Sequence, residues 1–205
     1  MNQILMDSLG NSINYTEYQR LMKKLVLNKS TTGNDKTENL VNFTLLNDRR
    51  MARWDKKLVV PETVQNSIKA FNAPVTWLVI TESWCGDAAH VIPVINKMAA
   101  LNSNINLRLI LRDDNEALMN QFLTNGAQAI PKLIILDSET LEVKDTYGPR
   151  PSIATQMILD HKAEFNMVTP EFKEELQRWY NKDKGQNVMR DLEQKLEQLQ
   201  LNVSL

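Results

Sequence analysis

Residues 76–81 read Thr-Trp-Leu-Val-Ile-Thr, a run with no polar position on alternate residues to face water. A strand of this kind is buried on both faces, so the chain must supply layers above and below it. Helical patterns flank the run. After it come a helix predicted over 87–101, a strand at 107–111, a helix over 115–123, strands at 132–136 and 143–147 joined by the turn-like Asp137-Ser138-Glu139-Thr140, and a helix after Pro151. Strands separated by helices, then a hairpin, imply an α/β fold with a central mixed sheet covered by helices.

Upstream, Tyr18, Met22, Leu25 and Val26 recur at helical spacing over 15–28, and Ser30-Thr31-Thr32-Gly33 breaks the pattern. A second helix is predicted over 36–57, and a third opens at Pro61 with Val64, Ile68 and Phe71 on one face. Downstream, Thr169-Pro170 caps a helix through Phe172, Leu176 and Trp179, and Gly185 ends it. Over 188–201, Val188, Leu192, Leu196 and Leu199 form a stripe too short for a long coiled coil, which fits a helix packed on its own domain or a dimer contact. The expected division is a helical N-terminal extension over 1–72, one sheet-bearing domain over 73–168 and a helical C-terminal extension over 169–205.

Lys+Arg 24 against Asp+Glu 25 leaves a net charge of -1, which provides no global field to recruit nucleic acid or anionic lipid. Neither a leader-like N-terminus nor a membrane-span pattern is present, and the expected location is cytoplasmic. Cys85 is the one cysteine of the sequence. An internal disulfide, a CxxC dithiol and an all-cysteine zinc cage are therefore excluded, and any partner sulfur comes from outside.

That cysteine lies in Glu82-Ser83-Trp84-Cys85-Gly86-Asp87-Ala88, at the junction of the buried strand and the next helix. Unpaired backbone N–H groups and the positive end of the helix dipole converge at such a junction and favour a thiolate. Asp87 opposes them with a nearby negative charge, so a modest depression of the thiol pKa is expected. A helix-start role for Asp87, accepting backbone N–H bonds, is the structural reading beside it. His90 follows on the same helix at an azimuth far from Cys85, which disfavours a Cys/His pair, and no metal site is expected.

Trp84-Cys85-Gly86-Asp87-Ala88 resembles the Trp-Cys-Gly-Pro-Cys active site of the thioredoxin family. Pro93 falls where that family carries a kink proline in its active-site helix, and Ile130-Pro131 resembles its Ile and cis-proline facing the thiol. Gly126 matches a family loop glycine, and Arg112 falls on the lysine beneath the active site. The chain resembles in particular a bacterial group that carries the single-cysteine motif and an all-helical N-terminal segment. The resemblance implies a thioredoxin-like fold with Cys85 at a helix N-terminus as the catalytic thiol, Trp84, Gly86, Asp87, Ala88 and Arg112 around it, and Ile130 and Pro131 lining a substrate groove. Three departures accompany it: Ala88 stands for the second cysteine, Asp87 for the active-site proline, and Val79 for the buried aspartate beneath the sheet.

Two functions follow as expectations. In a monothiol redox protein, the Cys85 thiolate forms mixed disulfides that an external thiol resolves. In a redox-inactive module, the groove near Ile130 holds an extended peptide through backbone hydrogen bonds. The expected partners are protein or peptide disulfides and low-molecular-weight thiols, with no cofactor, for a monomer or weak homodimer. An iron–sulfur cluster shared between two chains would require exogenous thiol ligands. Arg112 has a plain alternative as the ion-pair partner of Asp113 or Asp114.

Overall fold

The apolar run forms β1 (Val75–Thr81), and every residue of it is buried in the computed structural model, which describes residues 1–203. Positions 204 and 205 of the expected C-terminal extension lie outside the described residues. β2 (Ile105–Leu111) pairs with β1 in parallel, β3 (Lys132–Asp137) pairs with it antiparallel, and β4 (Val143–Tyr147) pairs antiparallel with β3. The order β2-β1-β3-β4 puts β1 inside the sheet, with Val79 facing Leu109 on one side and Leu133 on the other. A strand enclosed on both edges and both faces needs the continuous apolar composition that β1 has.

In chain order the helices are α1 (Asn2–Asn11), α2 (Tyr15–Leu27), α3 (Glu38–Lys57), α4 (Glu62–Ala70), α5 (Gly86–Ala99), α6 (Glu116–Met119), α7 (Ser152–Phe165), α8 (Pro170–Asp183) and α9 (Gln186–Val203). Helix α5 follows β1 directly, and each of its residues from Asp87 to Ile95 is buried. It packs against β2, α3 and α9, so its nearly all-round apolar surface is used on several sides. The mixed sheet covered by helices agrees with the expected α/β class.

One local expectation is extended and one corrected. Within the expected helical extension over 1–72 the spacing delimits no helix before residue 15, and α1 forms there; its buried residues are only Leu5 and Ser8, and its N-terminus has no side-chain cap, so the sequence signal is weak. The helix expected over 115–123 stops at Met119. Gln121 and Phe122 instead bond three residues back, to Leu118 and Met119, and Gly126, at φ +77°, lies in a tight turn closed by Thr124 and Ala127. Gly126 thus serves a turn.

The C-terminal helices are anchored at defined points. The Thr169 hydroxyl accepts the Phe172 N–H at 3.2 Å and caps α8, with Pro170 in the first turn. Gly185, at φ +77°, turns the chain into α9, and a Cβ there would lie 2.9 Å from the Val94 side chain and 3.2 Å from Leu58. The turn therefore sits directly on α5 and the end of α3. Val188, Met189, Leu192 and Leu196 are buried as α9 packs on α4, α5, α7 and β4. Asp191 and Asn187 of α9 accept the Ser152 and Ile153 N–H groups at 2.7 and 2.8 Å, which supplies the N-terminus of α7 with its cap.

Candidate active site

Cys85 is the N-cap of α5, and the loop before it is held from the N-terminal side. The Ser83 hydroxyl lies within hydrogen-bond distance of Thr31 Oγ1, Thr32 Oγ1 and Thr44 Oγ1 at 2.9–3.0 Å, and it accepts the Thr32 N–H at 3.0 Å. The Ser83 N–H donates to Thr32 Oγ1 at 2.8 Å, and Asn47 Nδ2 donates to the Ser83 carbonyl at 2.9 Å. The segment read in the sequence as a helix break thus clamps the loop two residues before the cysteine.

The sulfur faces the loop between α6 and β3, where its S–H donates to the Ile130 carbonyl at 3.3 Å. The Ile130–Pro131 peptide is cis, as the resemblance implies. The backbone N–H groups of Asp87 and Ala88 are directed at the sulfur and favour the thiolate, as expected for a helix N-terminus. Burial outweighs them. Cys85 is 8 % exposed, and burial first, then the Asp87 carboxylate, pushes its thiol up to about 12. The expected depression is corrected here: low-dielectric surroundings penalise the charged form more than two amides and a dipole favour it.

Asp87 has partners that no local spacing announces. The Tyr180 hydroxyl of α8 donates to Oδ1 at 3.0 Å, and Arg150 Nη2 lies 2.7 Å from Oδ2. Burial still holds the Asp87 pKa above its ordinary value, against the pull of Arg150 and Tyr180. Among the described residues Asp87 accepts no backbone N–H of α5, so the helix-start role considered for it is replaced by this tie between α5, α8 and the segment before α7.

Behind it, Trp54 Nε1 donates to His90 Nδ1 at 3.0 Å, which leaves the proton on Nε2 to meet Gln177 Oε1 at 2.9 Å. The His90 ring stacks on Tyr180 at 4.5 Å, and burial pushes its pKa down to about 4. His90 is a structural histidine between α3 and α8, away from the sulfur.

The remaining expected residues divide. Trp84 is half-buried, with the Arg112 guanidinium 5.0 Å from its ring centroid. Arg112 Nη2 also lies 2.7 Å from Asp113 Oδ1, the ion pair of the plain alternative, while Arg150 acts electrostatically on Cys85. Ala88 is buried in the core. Gly86 leaves an opening in which a Cβ would lie 3.5 Å from Arg50 Nη1 and 3.8 Å from Gln177 Oε1. Beside Pro131, Gly148 has φ +104°, and a Cβ there would overlap the Pro131 carbonyl oxygen. Arg50, Arg150, Gln177 and Tyr180 are the site residues the sequence reading missed.

A family model described as thioredoxin matches residues 33–166, well over half of the chain. The chain belongs to the thioredoxin family. The match begins inside the segment expected as an N-terminal extension, so family similarity includes the Gly33 loop, α3 and α4. A solved protein of unknown function from Pseudomonas aeruginosa is similar at 21 % identity and a TM-score of 0.59, over 77 % of this chain and 90 % of that one. An HIV epitope-scaffold is similar at 20 % identity and a TM-score of 0.56, over 90 % of this chain and 98 % of that one. These two carry the thioredoxin-like fold. No curated protein matches the sequence. Among the described residues, no three His, Cys, Asp or Glu side chains converge to hold a metal ion, and no helix is long and apolar enough to cross a membrane.

Proposed function

We propose that this thioredoxin-family protein performs monothiol thiol–disulfide exchange through a guarded Cys85. The observation that carries the reading is the position of Cys85 Sγ at the N-terminus of α5, addressed by the Asp87 and Ala88 amides and 3.3 Å from the Ile130 carbonyl. In the forward step, the thiol loses its proton and the thiolate attacks one sulfur of a disulfide. A Cys85–S–S–R bond forms, the R–S–S–R′ bond breaks, and R′S⁻ leaves and takes up a proton. An external thiolate then attacks the adduct on the R sulfur, expels Cys85 as thiolate and carries R away as a new disulfide. The partners are protein or peptide disulfides and low-molecular-weight thiols of a reducing cytoplasm, in line with the narrower likeness to a bacterial single-cysteine group.

Guarding follows from the thiol pKa of about 12. Near pH 7 the thiolate is about one molecule in 10⁵, against about 3 % for an ordinary cysteine. Intact-mass spectra of the native protein with glutathione disulfide test the proposal, with Cys85→Ser as blank. The expected result is one adduct, removed by dithiothreitol, with a formation rate rising about tenfold per pH unit from pH 7 through pH 10, whereas an ordinary thiol levels off near pH 9. The same burial favours a second reading, a redox-inactive peptide-binding module. No adduct at any pH at which the protein stays folded would end the first reading and leave the second standing.

A further inference from the structure

The charge around the mouth of the site does not balance. Two guanidinium groups flank one carboxylate: Arg150 pairs with Asp87 at 2.7 Å, while Arg50 also acts on Asp87 electrostatically but has no carboxylate within ion-pair distance among the described residues. The one side-chain hydrogen bond from Arg50 Nη1 goes to a neutral acceptor, Asn47 Oδ1, at 3.1 Å. Burial disfavours the Arg50 charge enough to lower its pKa. Arg150 is also underused, since its Nε is buried without a hydrogen-bond partner. The other nearby groups do not supply the missing negative charge: Arg112 is matched by Asp113, and His90 is neutral near pH 7. Gly86, the residue next to Cys85 in the chain, presents no side chain toward Arg50, whose Nη1 would lie 3.5 Å from a Cβ there. Gln177 offers an amide on the same opening.

We infer that Arg50, with the spare donors of Arg150, selects disulfides that carry a carboxylate close to the sulfur. A half-buried cation without a counter-ion is costly alone and is neutralised when an anion arrives, whatever its geometry. The inference rests on the exchange reading and names its substrate class. The attack is the one written above; the arginines hold the carboxylate of the incoming half and take no part in the proton or electron balance.

The test compares two probes on the full-length protein at pH 8. 5,5′-Dithiobis(2-nitrobenzoate) carries a carboxylate on each half, and 4,4′-dithiodipyridine is uncharged there. The quantity read is the ratio of their second-order rate constants with Cys85, divided by the same ratio for denatured protein, with Cys85→Ser as blank. In the native protein the normalised ratio should be about tenfold above one at low salt and should fall toward one in 1 M sodium chloride. Arg50→Gln should lower it about fivefold, and Arg50→Lys, which keeps the charge, should retain most of it. A native ratio near one, or equal ratios in the native and Arg50→Gln proteins, would overturn the selectivity. Loss in Arg50→Lys as complete as in Arg50→Gln would overturn the charge argument and leave Arg50 a structural partner of Asn47. Failure of both probes to modify Cys85 would remove the exchange reading itself, an outcome distinct from modification without selectivity.

Discussion

At Cys85, opposing effects meet on one sulfur. Two amides at the start of α5 lower the pKa, while burial and the Asp87 carboxylate raise it to about 12. Asp87→Asn removes the one carboxylate among the causes that raise it and leaves Arg150 free to act on the sulfur, so the Cys85 pKa should fall by about 1 unit. Iodoacetamide alkylation rate against pH reads this directly. An unmoved profile would mean that Arg150 already cancels the carboxylate's charge at the sulfur. Tyr180→Phe is milder: it deletes the 3.0 Å hydrogen bond to Asp87 but keeps the ring stacked on His90. Its expected cost is about 1–2 kcal/mol in denaturant unfolding, since the buried carboxylate loses one donor and keeps Arg150. At this scale the sequence located the sulfur well, because a cysteine between a buried run and a helix is a local pattern. Its pKa is not legible there, because burial depends on segments packed from elsewhere in the chain, such as the loop that carries Ile130.

Among the elements, the loop that delivers Cys85 depends on a contact between segments some fifty residues apart. The Ser83 hydroxyl touches three threonine hydroxyls, all buried. Ser83→Ala leaves those hydroxyls with fewer partners and should cost about 2–3 kcal/mol, seen as a lower denaturant midpoint at unchanged m-value. Periodicity revealed β1, β3, β4, α2 and α8 to within a residue or two, because each is capped or bounded by residues adjacent in sequence. It missed α1, whose packing is decided by the tertiary partners of Leu5, and it read Thr31 and Thr32 only as a break. Hydroxyl residues in a loop look the same whether they face water or grip a neighbour. Gly148→Ala makes an element-scale test of the groove: the new Cβ would collide with backbone, the Pro131 carbonyl, which has no flexible end to yield. A loss of about 2–4 kcal/mol in thermal or denaturant unfolding is expected, with faster alkylation of Cys85 as the Ile130 carbonyl moves away.

For the molecule as a whole, His90 makes stability depend on pH. Its folded pKa of about 4 lies below the unfolded 6.5, so the folded state prefers the neutral ring. The contribution is complete above pH 6.5 and is lost as pH falls through 4, to a total of about 3 kcal/mol. Asp87, whose pKa is raised, acts with the opposite sign, so comparing the native protein with His90→Gln at pH 7 and pH 4.5 isolates the histidine. The native protein should lose more stability over that interval than the variant. Protonation puts a second N–H on the ring at Nδ1, where Trp54 Nε1 donates, so it breaks the tie to α3 while Nε2–H keeps its bond to Gln177 of α8. At the far edge of the sheet, Ile13 exchanges two backbone hydrogen bonds with Leu109, at 2.8 and 2.7 Å, as an isolated antiparallel bridge on β2. That single residue is a plug. It occupies the backbone groups through which the rim of one molecule would otherwise zip to the rim of another. A chain that lacks residues 1–14 should therefore sediment as larger species than the intact chain at equal concentration, an effect of the rim that is separate from the sulfur chemistry.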